Sequence, residues 1–177
     1  MISTSVFTIV KKPWHCFKGI VNGWAHDRHE KEQARIKAFA LYDHLVTLAR
    51  IPKTLAMLQQ HGTLGARLDM LTFHMMLALY RLNQQGSASK PVAQALVDVW
   101  CVDLDQSFRE AGIGDLSVGR YVKRTVQQMY GLLHAWVKAK DDKAIQEAIL
   151  HKNIAPDAST RHLRALAAYA DQFYLSL

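Results

Sequence analysis

Residues Arg109–Lys123 read REAGIGDLSVGRYVK, and the two glycines in this stretch decide how the chain folds. Before them, Ala93, Leu96, Val97, Trp100, Leu104 and Phe108 recur at three- and four-residue steps, the period of one helix face. Gly112 falls just past that run, where a helix commonly ends in a left-handed residue that only glycine adopts without a Cβ clash. Asp115 and Ser117 are both suited to accept from the free N–H groups of a following helix. The glycine pair lacks the GxxxxGK[ST] spacing of a phosphate loop, and no strand pattern precedes it. The stretch therefore predicts a corner between two helices, not a nucleotide cradle.

The helix launched at this corner, from Ser117 to about Ala139, divides cleanly when its residues are placed at about 100° steps. Val118, Val122, Thr125, Val126, Met129, Leu132, Leu133 and Trp136 fill one side. Arg120, Lys123, Arg124, Gln127, Gly131, His134 and Lys138 fill the other. Residues 116–140 hold five Lys or Arg and no acid, and residues 1–37 hold seven against three acids. The rest of the chain is close to neutral, so these two segments carry the net charge of +7. Solvated helices usually mix both signs in i,i+4 pairs. An unmixed cationic line suits an anionic partner as well as bare solvation.

Working outward, helical periodicity continues on both sides. Asp27 to about Arg50 predicts a first helix with Ile36, Phe39, Ala40, Leu45 and Val46 near its inner face. Pro52 suits the start of a short second helix and Gly62 its end. Leu68–Leu82 is apolar nearly all round, which places it in the middle of a bundle. After the linker NQQGSASKP, Ser89 is placed to cap the helix Pro91–Ala111, with Pro91 in its first turn. Shorter helices are expected at Asp141–His151 and Thr160–Leu175. The expectation is an all-α, single-domain bundle of six to seven helices over residues 26–177, preceded by a basic and aromatic arm at 1–25.

Composition narrows the function classes. Half of the 177 residues are apolar and 21% are charged, a globular balance that supports one core. Cys16 and Cys101 form no CxxC pair, which excludes a cysteine zinc site and suits a reducing compartment. No uninterrupted apolar run is long enough for a transmembrane helix. The opening MISTSVFTIVKK puts its basic pair after the apolar stretch, the reverse of a secretory signal. A mature chain starting near Met1 in the cytoplasm is the expectation. The cluster His26, Asp27, His29 and Glu30 offers two imidazoles but no third metal ligand. His74 reads as a buried histidine bonded to a carbonyl or carboxylate, and Met70, Met75 and Met76 as core filling. No nucleophile has a recognisable base beside it, so neither catalysis, a cofactor nor a small-molecule substrate is expected.

Three stretches also carry a family resemblance: LYDHLVTLARIPK (41–53), ARLDMLTFHMMLALYRL (66–82) and DLDQSFREAGIGDLSVGRYVK (103–123). In this order they resemble the ubiquinol-cytochrome c chaperone family, over about Arg35 to Phe173, most specifically at Asp105–Lys123. The resemblance implies an all-helical, non-enzymatic assembly factor of the cytochrome bc1 complex that binds newly made cytochrome b. Mitochondrial members work with a small partner protein near the ribosome exit, whereas this short chain resembles a bacterial member. It implies a cytoplasmic protein, with peripheral contact at the inner membrane as one option. Arg109, Asp115, Arg120, Tyr121, Lys123, Arg124 and Lys138 are the expected partner-binding residues. Arg109 and Asp105 equally suit a plain i,i+4 ion pair, and Asp115 a cap. Trp14, Phe17, Trp24, Tyr121, Tyr130 and Trp136 are candidate walls of an apolar groove, although most suit the core. The N-terminal VKKPWHCFKGIVNGW suits an anionic membrane surface or simple packing. The competing reading is a nucleic-acid or ribosome-binding module using the basic face of helix 117–139. Its aromatics lie mostly on the apolar side, away from any base, and no DNA partner is expected.

Overall fold

The computed structural model describes residues 25–58, 63–139 and 142–176. Along them run α1 (Ala25–Ala49), α2 (Pro52–Ala56), α3 (Leu64–Gln84), α4 (Lys90–Glu110), α5 (Asp115–Ala139), α6 (Lys143–Asn153) and α7 (Thr160–Ser176). A single 3-10 turn, Ser87–Ser89, joins α3 to α4, and no strand occurs among the described residues. The expected all-α bundle is what forms. The proposed arm at 1–25 lies outside the described residues except for Ala25, as does the expected stop of α2 at Gly62.

The apolar helix α3 is the axis. Every residue from Met70 to Leu79 is buried, and α3 packs against α1, α2, α4, α5 and α7. Thr63 caps it by accepting from the Ala66 N–H at 3.1 Å. Its buried hydroxyl, on Thr72, donates to Leu68 O at 2.7 Å, so no polar atom is stranded there. Met70, Met75 and Met76 are fully buried core residues.

The outer helices present the faces their periods predict, with two exceptions. On α4, Ala93, Leu96, Val97, Trp100 and Leu104 are buried and Phe108 is half-buried; α5 buries Val118, Thr125, Val126, Met129, Leu132, Leu133 and Trp136. The first exception is α1. Its buried line is Ala34, Ala38, Tyr42, Leu45 and Ala49, whereas Ile36 and Phe39, expected inside, are 54% and 65% exposed. Alanines make this face because α1 packs mainly on α4, and small side chains let the axes approach closely. Tyr42 then reaches Asp103 of α4 at 2.7 Å. Burial first, and the neighbouring carboxylate second, push its phenol well above the usual range. The second exception is Ser89. It stands at the N-cap position of α4, but its hydroxyl donates backwards to Leu82 O and to Gly86 O at 2.8 Å, fastening the linker to α3 instead of capping α4.

The corner closes as a full Schellman turn. Gly112 has φ +85°, its N–H bonds Arg109 O at 2.9 Å, and the Ile113 N–H bonds Phe108 O at 3.0 Å. The next helix begins two residues earlier than expected. Gly114 O accepts from Ser117 and Val118 N–H, making Asp115 the first helical residue.

His74 fastens α7 to the axis. Its Nδ1 lies 2.8 Å from Met70 O and its Nε2 2.7 Å from the Tyr169 hydroxyl. A carbonyl only accepts, so the proton sits on Nδ1 and the Nε2 lone pair accepts from Tyr169. Phe73, Tyr169 and Phe173 surround the ring edge-on. Burial drives the imidazole down to about 4, against the raising effect of the Met70 bond. The side chain is therefore neutral at physiological pH.

Two measurements check this frame. Gly112→Ala introduces a Cβ that meets nothing within 4 Å, so its cost is the left-handed backbone alone. Urea unfolding is expected to show a loss of about 1 kcal/mol, and Gly112→Asn a smaller one. The unfolded His74 takes up a proton near pH 6.5, the folded one only near 4, so its contribution to stability is lost as pH falls between them. Asp69, raised by burial to about 6, acts in the opposite sense, losing stability as pH rises. Comparing the wild type with His74→Gln cancels Asp69. The wild-type advantage is expected to shrink by about 2–3 kcal/mol between pH 7.5 and 4.5. A difference independent of pH would show an ordinary histidine.

Candidate functional site

The expected partner-binding residues lie on one continuous exposed surface at the α4–α5 corner and along α5. Arg109, in the last turn of α4, bonds Asp105 from Nε at 2.6 Å and Asp115 from Nη1. The expected i,i+4 pair forms, and the same guanidinium ties the end of one helix to Asp115, which is the first residue of the next helix and not its cap. Asp115 is thereby engaged with Arg109. All three side chains are well exposed, so the cluster orients the corner more than it stabilises the fold.

Behind the ion pairs, Phe108 and Tyr121 meet with ring centroids 5.7 Å apart. Tyr121 stays 45% exposed despite this contact. Trp136 is buried and edge-on to Phe73 at 6.3 Å, so it is core and not a groove wall. Tyr130 is half-buried against the core. Trp14, Phe17 and Trp24 lie outside the described residues.

From the corner, Arg120, Lys123, Arg124, Gln127, Gly131 and Lys138 are all exposed and His134 is half-buried. The rise of the helix spreads this line over about 27 Å between Arg120 and Lys138. Among the described residues it contains no acid.

Two features of the surface escape a reading of the sequence. Leu116 is 99% exposed, on the same line as Arg120 and one turn before it. Beside the far half of the line, α5 and α6 leave a shallow groove of about 440 Å³ lined by Gly131, Ala135, Ile145, Ala148, Ile149 and Lys152. The apolar period of α6 does not reveal the groove, because one side of that helix, Gln146 and Leu150, is buried while Ile145 on another is 49% exposed. On the remaining flank Lys143 pairs with Asp171 at 2.7 Å and Glu147 with Arg164 at 3.7 Å, fixing α6 to α7. Among the described residues no three His, Cys, Asp or Glu side chains converge as a metal site would require.

Comparison with known proteins bears on this frame. A family model described as ubiquinol-cytochrome C chaperone matches residues 57–174, which includes the corner and all of α3 to α6. The crystal structure of the Cbp3 homolog from Brucella abortus superposes with a TM-score of 0.68 and 30% identity, covering 84% of each chain. No curated protein matches the chain. The motif at 41–53 precedes the matched region, while those at 66–82 and 103–123 lie inside it. The helical order, the glycine corner and a match over more than half its length have one meaning: this chain belongs to the ubiquinol-cytochrome c chaperone family.

Proposed function

We propose that the chain is an assembly chaperone of the cytochrome bc1 complex, that it holds newly made cytochrome b, and that the corner and cationic line of α5 form the holding surface. Family membership supports the role. The observation that carries the choice of surface is the unmixed charge. Elsewhere the exposed surface mixes both signs, as in Arg109–Asp105, Lys143–Asp171 and Glu147–Arg164. Along α5 four cations occupy one line with no acid among them. A membrane protein before assembly exposes apolar helices and polar connecting segments. A surface combining Leu116, the half-exposed Tyr121 and a row of Arg and Lys suits both.

The work asked of such a surface is binding, not chemistry. It lowers the free energy of an exposed client and releases it when a better-matched partner arrives. A nucleic-acid reading requires flat aromatic faces among the cations. On the line itself the ring-bearing residue is His134, and Tyr121 packs at a tilt against Phe108.

The test is a deletion strain complemented with tagged protein. The wild-type chain is expected to restore the cytochrome b absorption band and to co-purify with cytochrome b. The triple variant Arg120→Glu, Lys123→Glu, Arg124→Glu is expected to keep its helical circular dichroism but recover cytochrome b roughly tenfold less well. A folded triple variant that complements fully removes the cationic line from the function. A deletion strain with normal bc1 levels removes the chaperone reading itself.

A further inference from the structure

The groove between α5 and α6 has two unlike walls. Gly131 and Ala135, one turn apart, make a low wall on α5, and Ile145, Ala148, Ile149 and Lys152 make an aliphatic ridge at i, i+3, i+4, i+7 on α6. Gly131 is the informative residue. It sits in the middle of a 25-residue helix, where glycine is a poor choice. The fold does not ask for it: a Cβ added there would meet nothing within 4 Å, and φ is not in the left-handed region. Nothing in the packing of the described residues accounts for the missing side chain, whereas close approach by another helix does. Small residues at i,i+4 are what let a second helix come near a helix backbone.

Charge identifies the visitor. Lys152 lines the groove, and Lys138 lies two turns beyond Gly131 on the same line of α5. A second copy of this chain would bring the same cations against themselves. The chain's own residues 1–24 contain Lys11, Lys12 and Lys18 and no acid, so they are equally mismatched. A trough between two helices fits the ridge of a third better than it fits a plane.

We propose that the α5–α6 groove receives a helix of a partner protein, with an aliphatic ridge set between Gly131 and Ile149 and carboxylates on its flank meeting Lys138 and Lys152. This deepens the client-holding reading and rests on it only for who the partner is.

The full chain is titrated by fluorescence anisotropy with a labelled helical peptide of about twenty residues, Leu and Ala along one ridge and Glu on the flanks, and with the same peptide carrying Lys in place of Glu. The Glu peptide is expected to bind roughly tenfold or more tightly than the Lys peptide. Gly131→Leu fills the groove and is expected to weaken the Glu peptide by a similar factor, roughly tenfold, with unchanged circular dichroism. Lys138→Glu with Lys152→Glu is expected to exchange the peptide preference. Gly131→Ala is expected to raise the melting temperature by about 2–4 °C, since the fold gains helix propensity and meets no clash. Equal binding of the two peptides, binding of neither, indifference to Gly131→Leu, or stronger capture by anionic phosphatidylserine vesicles than by the Glu peptide overturns the proposal. The two readings separate cleanly. If Gly131→Leu still co-purifies with cytochrome b in full, the groove is not where the client sits, and the chaperone role stands. If the wild type captures no cytochrome b yet discriminates the peptides, the groove stands and the partner is another protein.

Discussion

Ten consecutive buried residues, Met70 to Leu79, impose the constraint from which the rest of this structure follows. A helix with no polar face in that span must be covered on every side, so α1, α2, α4, α5 and α7 are arranged around it. Of the two polar side chains in the span, Thr72 bonds Leu68 O, and His74 would be costly if left bare. It is satisfied at both ring nitrogens, by a carbonyl one turn back and by Tyr169 from the helix at the other end of the chain. The bond thus converts a local burial problem into a long-range tie between α3 and α7. It also sets the tautomer, because a carbonyl leaves no choice about which nitrogen carries the hydrogen.

Covering α3 commits one side of each neighbouring helix and frees the other. For α5 the committed side is a run of Val, Met and Leu residues ending near Trp136 and spaced by the helical period, and the freed side is the cationic line. The corner before it determines where that line points. Gly112 turns the chain, Gly114 opens the new helix, and Arg109, paired with Asp105 on its own helix, reaches across both glycines to Asp115. The direction of the exposed surface therefore depends on two glycines and one arginine that contribute little to the core.

The features that a sequence period encodes were legible: the all-round burial of α3, the two sides of α5, and the left-handed glycine at the corner. What the period does not encode is which of two plausible faces a neighbour chooses. On α1 the bulky Ile36 and Phe39 draw the eye, but the face turned inward is Ala34, Ala38, Tyr42, Leu45 and Ala49, in which three of five residues are small. Ser89 shows the same limit on a smaller scale, since an acceptor on α3 outcompeted the N–H groups next to it. The proposed binding residues Arg120, Lys123, Arg124 and Lys138 could be placed on one line because a single helix carries them all. The groove could not, because it belongs to two helices whose relative position no single-helix pattern contains.

Three choices on the outer line of α5 run against what folding alone would select. Leu116 is left almost wholly in water, Gly131 weakens a long helix without relieving any contact, and the cations stand together without acids. Each departs from the fold's interest by a different physical route: hydration of apolar surface, backbone entropy and charge repulsion. Because the routes are independent, no single feature of packing explains all three, and their coincidence on one line of one helix needs a common cause. Costs of about 1 kcal/mol each are tolerable against a domain stability of roughly 5–15 kcal/mol. They persist where the isolated protein is not the state that matters. The proposed partner would remove all three at once, by covering the leucine, packing against the glycine and neutralising the charge.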